Sequence, residues 1–421
     1  MLLSPLLLAV TLRNAPPGAA NSSVDAHDGP IVQWEPGGLF YRYAMAYTPC
    51  ALVGGGLCGA ARRALNRFIE AVKGNGFDCA QVAYDLLSDG FGRDCGFLTP
   101  SRGQTVRVYT SADLSHWTHA ADALLHAPAW LRDESIVFRP AVLYSRATRR
   151  YVLWLNRLPR AEPVVEAYRR AGFAVGTSDA PEGPFEFAPT AEEATPPMAH
   201  AGGADFALLA SGGEAHIVYG AWHNMGITSG WRAQLYPEHM RHSHQIAVQR
   251  LDESFTRAVG EAVTVSEHGQ EAPSWFRRGE LWYLIYGHTC CFCKMGSDAR
   301  VYVGSAPMGP YEYAGHLNDF GDAHVPAQNS GIVEVTQADG SNAFIWVADM
   351  WMSAASGLKG DDLQYWHPLT FVTREVRGLG RIPVPERQGP PWLEAFELNL
   401  SHIKASRGGQ ASCDDDANVH Y

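Results

Sequence analysis

Short runs along the chain alternate apolar and polar residues, with Gly or Pro between them. Val106–Tyr109, Phe173–Gly176 and Val301–Val303 follow this pattern, which marks strands with one buried face. Each run leads into a version of one phrase. The versions are Thr177-Ser-Asp-Ala-Pro-Glu-Gly-Pro-Phe-Glu-Phe187, Gly304-Ser-Ala-Pro-Met-Gly-Pro-Tyr-Glu-Tyr313 and, more loosely, Thr110-Ser-Ala-Asp-Leu-Ser-His-Trp117. The Gly-Pro pair makes a turn. A further pattern occurs five times: a short apolar strand, a turn, then an aromatic-rich strand. The pairs are 29–34 with 39–47, 139–144 with 151–155, 206–209 with 215–219, 272–276 with 281–286, and 331–335 with 343–347.

Five such units of about four strands each predict an all-β, five-bladed β-propeller over residues 25–395,. The first unit is longer than the rest. Its extra length, about 50–104, reads as a Cys-rich, partly helical insertion in blade one. Ala61, Ala64, Leu65, Phe68, Ile69 and Val72 fall on one helical face, and Gly74 stands where that helix stops,. Residues 396–421, with Asp414-Asp-Asp416, read as an acidic tail,.

Composition narrows the partners. With 33 Lys+Arg against 44 Asp+Glu, the net charge is −11. That argues against nucleic acid and against an anionic membrane surface. A hydrophobic share of 46% with 18% charged residues belongs to a globular chain,. The apolar run Met1–Leu12 is too short to span a bilayer, and Pro-Gly-Ala-Ala20 follows it,. Residues 1–20 therefore read as a signal peptide of a secreted protein. Cys50, Cys58, Cys79, Cys95, Cys290, Cys291, Cys293 and Cys413 fit disulfides in such a setting,. A metal at Cys290-Cys-Phe-Cys293 lacks a second, well-placed Cys pair, and one at His239, His242 and His244 lacks a recognised ligand spacing,. No metal or cofactor is expected, and the chain is read as a monomer.

The innermost strands of a propeller surround its channel, so the residues that open them converge. Aligned by their first strands, these are Asp28, Phe138, Asp205, Glu271 and Gln328. Carboxyls gathered in a small ring push each other's proton affinities apart. One acid to protonate a leaving oxygen and one base to activate water is the equipment of glycoside hydrolysis. Solvated loop carboxylates are the bland alternative, and recurrence at equivalent repeat positions speaks against it.

Those residues resemble glycoside hydrolase family 43, and within it the branch of exo-β-1,3-galactanases, over about residues 25 to 375. Glu271-Ala-Pro-Ser-Trp-Phe-Arg-Arg-Gly-Glu-Leu-Trp-Tyr-Leu-Ile-Tyr286 is similar to the family's blade-four signature. The resemblance implies that Glu271 is the general acid and that Asp205, in Ala204-Asp205-Phe, tunes and orients it. Ala26-His27-Asp28-Gly29 resembles both the Ala-His-Gly-Gly of that branch and the His-Asp-Pro of other members. Asp28 is then the base, with Gln328 as fallback, because a blade-five Gln takes part in the galactanase branch. That branch has Glu-Arg-Pro where this chain has Phe138-Arg139-Pro140.

His27, Arg139, Trp222, Asn224 and Trp351 are candidate sugar contacts. Each also has a structural reading: His27 as a satisfied core His, Arg139 paired with Asp28 or Asp205, Trp351 as core. The expected activity is inverting hydrolysis of a galactose- or arabinose-containing polysaccharide such as β-1,3-galactan. Phe138 motivates the alternative of a propeller that binds sugar without cleaving it. A propeller scaffold for protein partners is a third reading.

Overall fold

The computed structural model describes residues 8–15, 24–47, 105–160, 170–200, 205–222, 244–267, 270–288, 298–319, 324–351, 353, 359–387 and 392–400. The chain starts with β1 (Leu8–Arg13). Blade one is β2 (Ile31–Gln33), β3 (Phe40–Ala46), β4 (Thr105–Ser111) and β5 (Thr118–Asp122). Blade two follows the short helix α1 (Ala129–Arg132). It is β6 (Ser135–Ser145), β7 (Arg150–Pro159), β8 (Gly172–Ser178) and β9 (Glu186–Phe187). After α2 (Ala191–Ala194), blade three is β10 (Phe206–Ser211), β11 (Glu214–Trp222), β12 (His244–Leu251) and β13 (Ala258–Thr264). Blade four is β14 (Gln270–Arg278), β15 (Leu281–His288), β16 (Ala299–Gly304) and β17 (Tyr311–Asn318). Blade five is β18 (Gln328–Thr336), β19 (Asn342–Met350), β20 (Leu363–Val376) and β21 (Gly380–Arg387).

Each blade is a four-stranded antiparallel meander, and the first strands meet their neighbours around a ring in which β18 returns to β2. This is the five-bladed propeller that the repeats predict. Tyr43, Trp154, Tyr219, Tyr283 and Trp346 sit in the second strands of successive blades, and all are fully buried. The aromatic-rich strand of each repeat therefore supplies the large side chains that fill the space between blades. The predicted helix at 61–73, the insertion about 50–104 and all eight cysteines lie outside the described residues.

The two ends of the described chain pair with each other. β22 (Ala395–Leu400) lies antiparallel to β1, from Leu8 opposite Leu400 to Arg13 opposite Ala395. Residues 8–13, read from the sequence as part of a signal peptide, form this strand in the structure. Val10 and Leu12 are buried with Ile31 and Phe40 of blade one and Val333, Val335, Ile345 and Val347 of blade five. Asn14 locks the end of this strap. Its amide donates to the carbonyls of Trp366 (2.8 Å) and Leu393 (2.7 Å), and its oxygen accepts from the Trp366 N–H (2.8 Å). A short apolar stretch satisfies the pattern of a signal sequence and that of a buried strand alike.

Candidate active site

The first strands of blades two and four carry the same irregularity. Phe138 pairs with Asn156 and Ala141 with Trp154, so Arg139 and Pro140 oppose one residue. Glu271 pairs with Gly287 and Ser274 with Ile285, so Ala272 and Pro273 do the same. Arg139 (φ 47°) and Ala272 (φ 53°) both adopt the left-handed conformation. Such bulges re-aim side chains at a sheet end.

Blade one carries the same single-residue excess: between the His27–Met45 bridge and the Ile31–Arg42 pair three residues oppose two, and Asp28 takes the left-handed conformation (φ 59°). His27, like Phe138 and Glu271, is the paired residue before the bulge, and Asp28 shares its backbone conformation with Arg139 and Ala272. At Gly29 any Cβ would collide with the Tyr43 carbonyl,.

Arg139 brings three blades together at the channel. Its Nε lies 3.2 Å from Asp205 Oδ1 and 3.5 Å from Asp28 Oδ1, and its Nη2 donates to the Asn329 carbonyl at 3.0 Å. Arg139 is 3% exposed, Asp28 8% and Asp205 25%. Burial opposes charge on Arg139. The carboxylates of Asp205, Asp28, Asp349 and Glu271 outweigh it and hold the guanidinium above its usual range,. Arg139 thus pairs with both Asp28 and Asp205 across the ring.

Glu271 sits in a different setting. Gln328 Nε2 donates to Glu271 Oε1 at 3.2 Å, and Trp351 Nε1 donates to Gln328 Oε1 at 2.9 Å. An indole only donates, so it fixes the Gln328 oxygen toward Trp351 and the NH2 toward Glu271. Asn329 pins the bulge beside the acid: its Nδ2 donates to the Ala272 carbonyl (2.7 Å) and to Ser274 Oγ (2.9 Å). Its oxygen accepts from Trp346 Nε1 at 3.0 Å.

Behind Asp28 lies a buried polar group that sequence reasoning did not single out. Asp349 on β19 accepts from the Asp28 N–H (2.9 Å), Gln364 Nε2 (2.6 Å) and Ser330 Oγ, and His27 Nδ1 lies 3.2 Å away. Burial opposes charge on His27 too. The hydrogen bond and charge of Asp349, with Asp25 and Asp362, outweigh it and raise the imidazole above its ordinary value. The same contacts hold the Asp349 carboxyl well below the usual range, against burial. His27 is fully buried and Trp351 nearly so, with ring centroids 5.3 Å apart. Both side chains are parts of the wall.

Asp28, Arg139, Asp205, Glu271, Gln328, His27 and Trp351 are thus linked in one cluster. Phe138 is half-buried against Ile136, Leu158 and Ala171. Trp222 ends β11; its side chain, Asn224, His239 and His242 lie outside the described residues. Asp349 and Asn329 were missed because each looks like an ordinary strand residue. The signal was their place, Asn329 beside Gln328 and Asp349 two residues before Trp351. Among the described residues no group of three His, Cys, Asp or Glu converges as a metal site.

The family pattern of Glycosyl hydrolases family 43 matches residues 91–371. No curated protein matches the chain by sequence. Among solved structures, an exo-β-1,3-galactanase from Clostridium thermocellum is 15% identical at a TM-score of 0.62, over 93% of this chain and 68% of that one. One from Phanerochaete chrysosporium, solved with β-1,3-galactotriose, is 15% identical at 0.60, over 94% of this chain and 70% of that one. A family 43 β-1,3-galactosidase with galactodeoxynojirimycin is 16% identical at 0.58, over 90% of this chain and 99% of that one. At these identities the solved structures establish the likeness of fold.

Proposed function

The chain belongs to glycosyl hydrolase family 43, and from that premise we propose that it hydrolyses β-1,3-linked galactan or a related galactose- or arabinose-containing polysaccharide with inversion. It is a glycoside hydrolase by family, and the substrate class is drawn from the galactanases and galactosidase whose fold it shares. The observation that carries the mechanism is the division of carboxyls in the channel. Asp28 and Asp205 flank a buried guanidinium, whereas Glu271 receives a neutral amide.

A leaving glycosidic oxygen needs a proton from one carboxyl, and an attacking water needs another carboxylate to take one. We assign Glu271 as the acid, Asp28 as the base, and Asp205 with Arg139 as the pair that sets the field between them. Both ends of the Gln328 amide are engaged, one on Glu271 and one on Trp351. That favours Gln328 as the holder of the acid over Gln328 as the group that activates water.

The test is hydrolysis of β-1,3-galactan and a panel of aryl galactosides and arabinosides by wild type and Glu271→Gln. Wild type is expected to turn over at least one substrate, and the variant to lose roughly 1,000-fold in kcat. Sugar binding without turnover in both proteins would favour the non-catalytic reading. Phe138 motivates that reading, because it stands in the register of Glu271. A polysaccharide substrate favours action outside the cell. We propose that the protein is exported through the secretory pathway.

A further inference from the structure

Asp28 is held unlike Glu271 and Phe138, the residues before the bulges of blades four and two. Glu271 and Phe138 lie inside the ladders of β14 and β6. Asp28 lies outside β2, between the isolated His27–Met45 bridge and Ile31, and its backbone is left-handed. A non-glycine residue in that region persists only where its surroundings impose it. The ladder with β3 holds the residues on either side, His27 on Met45 and Pro30 on the Tyr43 N–H. The Asp28 N–H itself is held by a carboxylate of blade five, because Asp349 Oδ2 accepts it at 2.9 Å.

We infer that Asp349 is the positioning residue for the blade-one carboxylate: it fixes the Asp28 backbone, so that the side chain meets Arg139 and faces the acid across the channel. This rests on reading Asp28 as the base. Asp349 is suited to the task because its own position is fixed. Gln364 Nε2 and Ser330 Oγ donate to it from blade five, and His27 Nδ1 approaches it from blade one. A fully buried carboxylate with several donors has little freedom to turn,. Asp28 is thereby held at two points. Blade five holds its backbone, and blade two holds its carboxylate through Arg139 at 3.5 Å. Asp349 does not reach the substrate in this scheme. It acts through the placement of Asp28, and a displacement of about 1 Å at a reacting group can cost about 100-fold in rate.

The experiment compares full-length wild type, Asp349→Asn, Asp28→Asn and the double variant on an aryl β-galactoside and on β-1,3-galactan. Asp349→Asn is expected to lower kcat about 100-fold with little change in KM. In the Asp28→Asn background the same change is expected to alter kcat by less than about threefold, because both substitutions then disable one group. Asp349→Glu, which keeps the charge opposite His27 but moves the acceptor, is expected to lower kcat as well. An equal loss in both backgrounds, or a rise in KM alone, would overturn the positioning role while leaving the base assignment intact. Wild-type kcat in Asp28→Asn would overturn the base assignment and the inference with it. Hydrogen exchange at the Asp28 amide is read in parallel and needs neither turnover nor substrate. Its protection is expected to fall in Asp349→Glu, and unchanged protection would overturn the anchor.

Discussion

The seam between blades three and four and the seam between blades five and one serve the same purpose with different materials. At the first, Val218, Ile246 and Val248 pack on Trp275, Trp282, Leu284 and Tyr286. The two tryptophans lie 5.7 Å apart, and His216 packs edge-on against both. Apolar burial dominates there. At the second, β2 offers only three residues. A buried polar group, His27 with Asp349, Ser330 and Gln364, stands on the channel side. The β1–β22 strap covers the apolar residues of the same seam.

Blades three and four are neighbours in sequence, so their meeting costs little chain entropy. Blades five and one must close a loop nearly as long as the domain, and that entropy is recovered only when the contact forms. The seam that closes the ring is therefore the one reinforced by directional bonds and by the paired ends of the domain. It is also the seam that carries Asp28, so the device that closes the ring is the device that places a catalytic candidate.

The largest expected effect breaks this comparison at the strap. A chain beginning at Asn21 loses β1, with Val10 and Leu12, and uncovers Ile31, Phe40, Val333 and Val335. It is expected to lose about 4 kcal/mol of stability in denaturant unfolding, from two buried side chains alone. Unchanged stability would mean that the strap contributes nothing to closure and that cleavage near Ala20 is tolerated. Next comes Leu284→Ala, which opens a cavity in the apolar seam. It is expected to cost about 3 kcal/mol. Because no titrating group is removed, the loss should be the same at acid and alkaline pH.

The fold was legible because it repeats. A Gly-Pro turn after an alternating strand, and an aromatic-rich strand at each second position, reflect packing demands that recur in every blade. The channel residues were legible to within one position, since they open repeating strands. What escaped reading was whatever the repeat does not dictate. Asp28 shares with Glu271 its spacing to Pro, whereas the backbone places His27, as it places Glu271, as the paired residue before the left-handed one. Asp349 sits in the apolar strand Asn342–Met350, and its role depends on a partner more than three hundred residues away. The run Leu8–Leu12 reads equally well as a secretory segment until its pairing with Leu398 and Leu400 is known.

The smallest effect sharpens the comparison, because the two seams should respond to pH with opposite sign: burial lowers His216 at the apolar seam, so its protonation costs stability as pH falls,. Protonated His27 faces Asp349, Asp25 and Asp362. Its affinity for a proton is higher in the folded chain than the ordinary 6.5, so its contribution is complete below that value and is lost as pH rises through the folded one,. Asp349 is held below 3.8, so its contribution is present above that value and is lost as pH falls through the folded one,. Asp25 works the other way: burial raises it, so its ionisation subtracts stability as pH increases. The His27 and Asp349 contributions overlap in mildly acidic solution. The advantage in thermal midpoint of wild type over His27→Asn should therefore be largest in mildly acidic solution and shrink as pH rises above the ordinary 6.5,. Leu284→Ala should keep the wild-type slope at a lower midpoint. An equal slope in His27→Asn would assign the pH response of the closing seam to another group.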